Sequence, residues 1–142
     1  MIITAASVVV VGLALGYWFY SSSKPLASTN VDYQDISVTQ LNEMLKSKDF
    51  VLVDVHIPEQ VHIPQTDKFI AYNEIDRLVE ALPDKKQKIV FYCRSGSMSA
   101  YAAEKLSELG YQNLFNLAGG MNAWQAAGLP TIPIGSMNQI NP

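Results

Sequence analysis

The chain holds one cysteine, Cys93, and it stands where a thiol could work. It ends the apolar run Lys88–Ile89–Val90–Phe91–Tyr92 and is followed directly by Arg94–Ser95–Gly96–Ser97–Met98–Ser99. That order reads as a buried strand, a tight turn and the start of a helix. Backbone N–H groups in such a turn can converge on one point, and the helix N-terminus adds partial positive charge. Both favour a thiolate over a thiol and would hold an anion on sulfur. Gly96 supplies backbone angles that a tight cradle requires. Arg94 supplies a cation directed either at an incoming anion or outward at a partner. On this pattern alone two readings stay open: a nucleophile, or a small buried hydrophobe at a strand end.

Other chemistries fit the composition less well. A single cysteine excludes an intrachain disulfide framework and a Cys-rich metal site. His56 and His62 lie near Asp54 and Glu59, but two histidines at this spacing are a weak metal signal, and solvent-facing or strand-capping roles are expected for them. A cysteine phosphatase or arsenate reductase loop needs an arginine six positions after the cysteine to clamp an oxyanion, and that position is Ser99. Only two arginines, Arg77 and Arg94, a net charge of −3 and a pI near 5.2 speak against nucleic-acid binding, which needs a basic face. Lys85, Lys86 and Lys88 read as a solvated turn. Trp124, at helical spacing with Ala123 and Ala127, reads as core.

The elements that would carry these residues alternate in period. Val38, Leu41, Met44 and Leu45 have helical spacing, with Ser37 or Thr39 as a cap. Phe50–Val55 is an apolar strand interrupted by Asp54. Lys68–Tyr72 is a second, shorter strand. Ile75–Leu82 is helical and stops before Pro83. Lys88–Tyr92 is a buried strand, Ser97–Leu109 a helix ended by Gly110, Leu114–Leu117 a strand, and Met121–Ala127 a short helix ended by Gly128. Continuous apolar strands alternating with helices predict an α/β fold, a mostly parallel sheet with helices on both faces. Such sheets place chemistry at the carboxyl ends of their strands.

Several of these segments together resemble the rhodanese-like sulfurtransferases. Cys93–Arg94–Ser95–Gly96–Ser97–Met98 is similar to their C-R-S/T-G-x-R active-site loop. Leu117–Ala118–Gly119–Gly120–Met121–Asn122–Ala123–Trp124 continuing to Gly128–Leu129–Pro130 is similar to their L-x-G-G-x-x-A-W-x-x-x-G-x-P segment. Val53–Asp54–Val55–His56 resembles their V-D-V-R strand end, and Pro58–Glu59 and His62–Ile63–Pro64 resemble their P-E and G-H-I-P segments. The resemblance runs from about Val31 to Pro133. It implies that Cys93 is the nucleophile, taking sulfane sulfur from a small donor or a persulfide carrier protein and passing it to a thiophilic acceptor. It further implies that the N–H groups of Arg94 through Ser99 hold the persulfide anion, with Asp54 and His56 supporting the neighbouring strand ends. Because the thiolate performs the chemistry, no metal or organic cofactor is expected. Four departures stand out: Met98 for the last loop arginine, His56 for the arginine of the strand end, a shorter stretch from Asp54 to His62, and Val61 and Gln65 where glycines usually flank H-I-P. They predict weak use of a small dianionic donor such as thiosulfate. The alternative reading is a non-catalytic, membrane-tethered module that binds or senses.

The remaining signal is N-terminal. No Asp, Glu, Lys, Arg or His precedes Lys24, and Ile2 to Tyr20 is an uncharged run. As a helix it would span about 28 Å, the thickness of a bilayer core. Tyr17, Trp18, Phe19 and Tyr20 sit at its end, where amphipathic rings favour the headgroup zone. A basic n-region and a small-residue cleavage site are missing, so a retained single-pass anchor is favoured over a cleaved signal peptide or a buried helix. The expected organisation is an anchor over residues 1–23 in contact with lipid through residues 2–20, a linker over 24–30, a rhodanese-like domain over 31–134 and a loose tail over 135–142. Lys24 after the span favours a cytoplasmic domain, the alternative being a periplasmic or exported one. Gly12 and Gly16 form a G-x-x-x-G pair that would permit a weak dimer through the span. An anchor should keep the full-length protein in the membrane fraction through an alkaline carbonate wash. A mature N-terminus near Ala27 or Ser28 would instead establish a cleaved signal.

Overall fold

The apolar runs become strands and the helix-period segments become helices in the computed structural model, which describes residues 32–136. Five strands, β1 (Tyr33–Ile36), β2 (Val51–Asp54), β3 (Lys68–Phe69), β4 (Ile89–Tyr92) and β5 (Leu114–Leu117), pair in the order β1-β5-β4-β2-β3. Every pairing is parallel, with Leu52 opposite Val90 and Ile89 opposite Leu114. Four helices cover the sheet: α1 (Val38–Met44, extended by a 3-10 turn over Leu45–Ser47), α2 (Ile75–Ala81), α3 (Ser97–Glu108) and α4 (Gly120–Ala126).

Period-two alternation along the strands divides the core between the two faces. Val53, Val55, Ile89, Phe91 and Leu114 point toward Leu78, Ala102, Ala103 and Leu106 of α2 and α3. Leu52, Val90, Tyr92 and Leu117 point toward Leu41, Leu45, Met121 and Trp124 of α1, its 3-10 turn and α4. Each fully buried Leu, Val or Phe contributes roughly 1.5–3 kcal/mol, so the central strands carry much of the stability. Ser37 caps α1, accepting from the Gln40 N–H at 3.2 Å, while the Gln40 side chain accepts from the Ser37 N–H at 2.8 Å. Trp124 is a core residue as expected, with its Nε1 donating to the Pro130 carbonyl at 2.8 Å.

Three sequence expectations change. Strand β1 was not expected, because Tyr33–Gln34–Asp35–Ile36 buries only Ile36 and has no apolar run; its place comes from backbone pairing to β5. The strand expected over Lys68–Tyr72 is only Lys68–Phe69, and the chain beyond it is held by Ile70 N–H to Asp54 O and Tyr72 N–H to Val55 O. His56 and His62 are buried rather than solvent-facing. The expected anchor, its lipid contact, its dimer contact and the linker lie outside the described residues, as does the tail beyond Ser136. Among the described residues no helix is long and apolar enough to cross a membrane.

One close approach joins α4 to the end of β4. A Cβ on Gly120, whose φ is +52°, would lie 2.3 Å from the Cys93 carbonyl oxygen and 2.9 Å from that of Arg94. Both atoms are backbone, so neither can swing aside. Gly120→Ala is therefore expected to cost about 2–4 kcal/mol from overpacking and positive φ together. A lowered urea midpoint with an unchanged m-value is the measurement that checks it.

Candidate functional site

The site forms where β4 stops. Its last residues are fully buried, and Cys93 follows with 1% of its surface exposed. The chain then turns through Arg94 and Ser95, both exposed, to Gly96, whose φ of +98° is open to glycine at little cost. A Cβ there would also press on the Gly119 nitrogen at 3.2 Å and the Leu117 carbonyl at 3.3 Å. Helix α3 begins at the next residue.

Two donors reach the sulfur. The Gly96 N–H donates to Cys93 Sγ at 3.1 Å, and the Ser99 hydroxyl, fully buried, donates to the same atom at 3.4 Å. The hydroxyl also has the Gly96 carbonyl at 3.2 Å. One hydroxyl hydrogen serves one acceptor at a time, so negative charge on sulfur would draw it toward Sγ. On the other side, the Met121 N–H donates to the Cys93 carbonyl at 2.8 Å and the Asn122 N–H to the Arg94 carbonyl at 2.9 Å. Because N–H and C=O oppose each other across a trans peptide, these bonds turn the N–H groups of Arg94 and Ser95 away from α4.

The expected site residues are thus together, but in unequal parts. Gly96 and Ser99 touch the sulfur. Ser95 and Ser97 face each other through their hydroxyls at 3.2 Å on the exposed side of the turn. Met98 is half-buried and packs on the α2–α3 side of the core. Among the N–H groups of Arg94 to Ser99, that of Gly96 is the one in hydrogen-bond contact with Sγ among the described residues.

Asp54, at the end of β2, is fully buried. Its Oδ1 accepts from the His56 N–H at 2.9 Å, and its Oδ2 meets His62 Nδ1 at 3.0 Å. The other ring nitrogen of His62 meets Glu59 Oε1 at 3.0 Å. A carboxylate on each side requires two ring protons or a proton on one carboxyl. Burial pushes the Asp54 carboxyl up from its ordinary range, against the opposing pull of its hydrogen bonds. The result is a carboxylate–imidazole–carboxylate chain, buried at Asp54 and His62 and exposed at Glu59, that fastens the Glu59–His62 segment to the strand end. No group of three or more His, Cys, Asp or Glu side chains suited to a metal occurs among the described residues. Sequence reasoning missed this chain; Asp54, Glu59 and His62 were visible, but no local spacing showed that His62 returns to β2. It also missed the hydroxyl contact of Ser99, which was expected to act through its amide. The adjacent Gly119–Gly120 at a strand–helix junction was the available signal for the close backbone approach.

With this geometry in hand, comparison with known proteins is informative. The pattern of the Rhodanese-like domain matches residues 37–127. Thiosulfate sulfurtransferase GlpE of Pseudoalteromonas translucida is 32% identical over 98 residues, which cover 67% of this chain and 91% of that protein. A sulfurtransferase of Allochromatium vinosum is 34% identical over 89 residues, covering 61% of this chain and 81% of that one. Among solved structures, a rhodanese-related protein of Thermoplasma volcanium has a TM-score of 0.61 at 28% identity, covering 70% of this chain and 98% of that one.

His56 gives the site a pH dependence with a definite sign. Its ring is buried, and Nδ1 has no hydrogen-bond partner among the described residues. Burial first, then the Arg94 charge, lowers its pKa from 6.5, against a smaller upward pull from Asp54. Below 6.5 the unfolded chain therefore takes a proton that the folded chain refuses, and stability is lost as pH falls toward the folded value. His56→Gln should flatten the change in thermal midpoint between about pH 5 and pH 7 relative to the parent. Parallel profiles for the two proteins would contradict the assignment.

Proposed function

The chain belongs to the rhodanese-like domain family, and from that membership we propose that it is a sulfurtransferase carrying sulfane sulfur on Cys93 as a persulfide. The observation that carries the reading is the pair of donors on Cys93 Sγ, the Gly96 N–H at 3.1 Å and the Ser99 hydroxyl at 3.4 Å. A thiol serving only as core would need neither.

In the first step the Cys93 thiolate attacks the outer sulfur of the donor. A new S–S bond forms, the donor's S–S bond breaks, and its electron pair leaves on sulfite when the donor is thiosulfate, or on a thiolate when it is a persulfide. In the second step an acceptor thiolate attacks the outer sulfur and the electron pair returns to Cys93. Between steps the persulfide is an anion in a largely buried setting, where a charge without hydrogen bonds would be costly. Gly96 and Ser99 supply such bonds, and Arg94 and Ser95 offer N–H groups turned off α4. Asp54 and His56 act at one remove, by fixing the end of β2 beside the loop.

The alternative of a binding or sensing module is favoured by Met98, which leaves the end of the loop without a cation. The two readings separate on one measurement. With a polysulfide donor, Cys93 should gain the mass of one sulfur atom and pass it on, and Cys93→Ala should abolish turnover. Undiminished turnover in the alanine variant would exclude the persulfide route, and failure to load would leave the binding module.

Met98 also bears on the donor. A charge-assisted hydrogen bond to an anion is worth roughly 1.5–3 kcal/mol, or one to two orders of magnitude in binding or turnover. Half-buried, position 98 can take an arginine whose stem follows the same path with its head in solvent. Met98→Arg should raise thiosulfate kcat/KM by about tenfold or more, mainly through KM, and a persulfide donor should gain much less. Unchanged thiosulfate kinetics in a folded variant would assign anion recognition to Arg94 and the amides alone.

A further inference from the structure

Asn116 is a polar residue on an apolar face. It sits in β5 opposite Asp35 of β1 and Phe91 of β4, with 4% of its surface exposed. Strand period two puts it on the α2–α3 side of the sheet, with Phe91, Cys93 and Leu114. Its Nδ2 donates to Asp35 Oδ1 at 2.8 Å. Asp35 is exposed, and a carboxylate only accepts, so it fixes the amide with its nitrogen toward β1. Asn116 Oδ1 is buried and has no hydrogen-bond partner among the described residues. An unpaired buried amide oxygen is destabilising, and an aliphatic side chain would fill the position without that cost. The same amide backs the cysteine loop. A Cβ on Gly96 would lie 3.9 Å from Asn116 Nδ2, beyond the backbone atoms of Gly119 and Leu117 at 3.2 and 3.3 Å. Gly96 in turn carries the N–H that reaches Cys93 Sγ at 3.1 Å.

We propose that Asp35 and Asn116 form a positioning pair, which holds Gly96 where its N–H bonds the Cys93 sulfur. Its consequence for turnover rests on the sulfurtransferase reading, and it names two residues that serve the same site from a distance. Each acts through the next. Asp35 turns the amide, the planar amide backs Gly96 at the end of β5, and Gly96 presents its N–H to Sγ. The cost of the buried amide is the reason for the choice. Strand β1 is already joined to β5 by a backbone ladder over Tyr33–Ile36, so the sheet has no need of a polar side chain at this point. A buried polar group kept against stability, touching the turn that carries the sulfur's donor, is accounted for by the placement of that donor.

Cys93 is the only cysteine, so the ultraviolet absorbance of its thiolate can be read as the difference between each full-length protein and the same protein carrying Cys93→Ala. Asn116→Leu should move the pH profile of that absorbance up by about one pH unit, the size of one lost hydrogen bond to a charged group. Its urea midpoint should not fall, since an apolar side chain replaces an unpaired polar atom. Asp35→Ala, at an exposed position, should move the profile the same way. Loss of the carboxylate's charge alone would move it the other way, because a nearby anion disfavours a thiolate. Asp35→Asn keeps an acceptor oxygen and should stay closer to the parent than Asp35→Ala does. On the acid side of the profile, polysulfide loading of Cys93, read by mass, should slow by about threefold in Asn116→Leu. A tenfold smaller thiolate fraction is there partly offset by greater nucleophilicity. A profile that stays put or moves down in Asp35→Ala would overturn the proposal and leave the pair as a pin for β1, and this variant decides alone if Asn116→Leu does not fold. Failure of the parent to load would overturn the transferase reading, with the thiolate profiles still testing the pair.

Discussion

The cysteine loop has its shape because the first residue of α4 lies against it with no side chain between. With Gly120 in place, the Cys93 and Arg94 carbonyls accept hydrogen bonds from Met121 and Asn122 at 2.8 and 2.9 Å. A Cβ would stand 2.3 Å from the first of those oxygens. Once the carbonyls are drawn to one side, peptide planarity sends the next two N–H groups to the other. Gly96 then closes the turn, its N–H on the sulfur, and α3 starts with Ser99 one turn in. The backbone contact between α4 and the end of β4 therefore decides which polar groups of the loop face Cys93 and which face α4.

Fixed dipoles, rather than free charges, surround the sulfur itself. No charged side chain bonds to it among the described residues: Arg94 and Glu59 line one groove of about 450 Å3 beside α4, and Asp54 is buried at the end of β2. The Asp54–His62–Glu59 chain keeps the segment after β2 in place with no hydrogen bond to the sulfur among the described residues. On the proposed reading, hydrogen bonds to the sulfur suit a persulfide, whose charge is single and diffuse. They suit a doubly charged donor less well. Met98, packed on the core at the end of the loop, adds no charge there.

Much of this was legible in the chain. Among the described residues, four of the five strands and all four helices follow from period and punctuation, since a buried parallel strand is mostly apolar and a helix covering it is apolar every third or fourth residue. Strand β1 was not legible, because an edge strand with one buried residue owes its existence to a partner's unpaired N–H and C=O groups. The turn around Cys93 was legible because Cys93, Gly96 and the start of α3 are neighbours in sequence. His62 was not, because its two carboxylate contacts depend on how the segment after β2 folds back.

What the sequence by itself determined is local: a thiol at a strand end, a turn that needs glycine, a helix after it, and a pair of glycines before the last helix. These are fixed by covalent neighbours and by conformational preferences that act over a few residues. Only the tertiary structure decided that the glycine pair packs on the cysteine's own carbonyl, that Ser99 turns its hydroxyl to the sulfur, and that Glu59 and Arg94 face one groove. The first and last of these pairings join residues tens of positions apart, and the second spans six. They become favourable only when burial of both faces of the sheet has already brought the strand ends together.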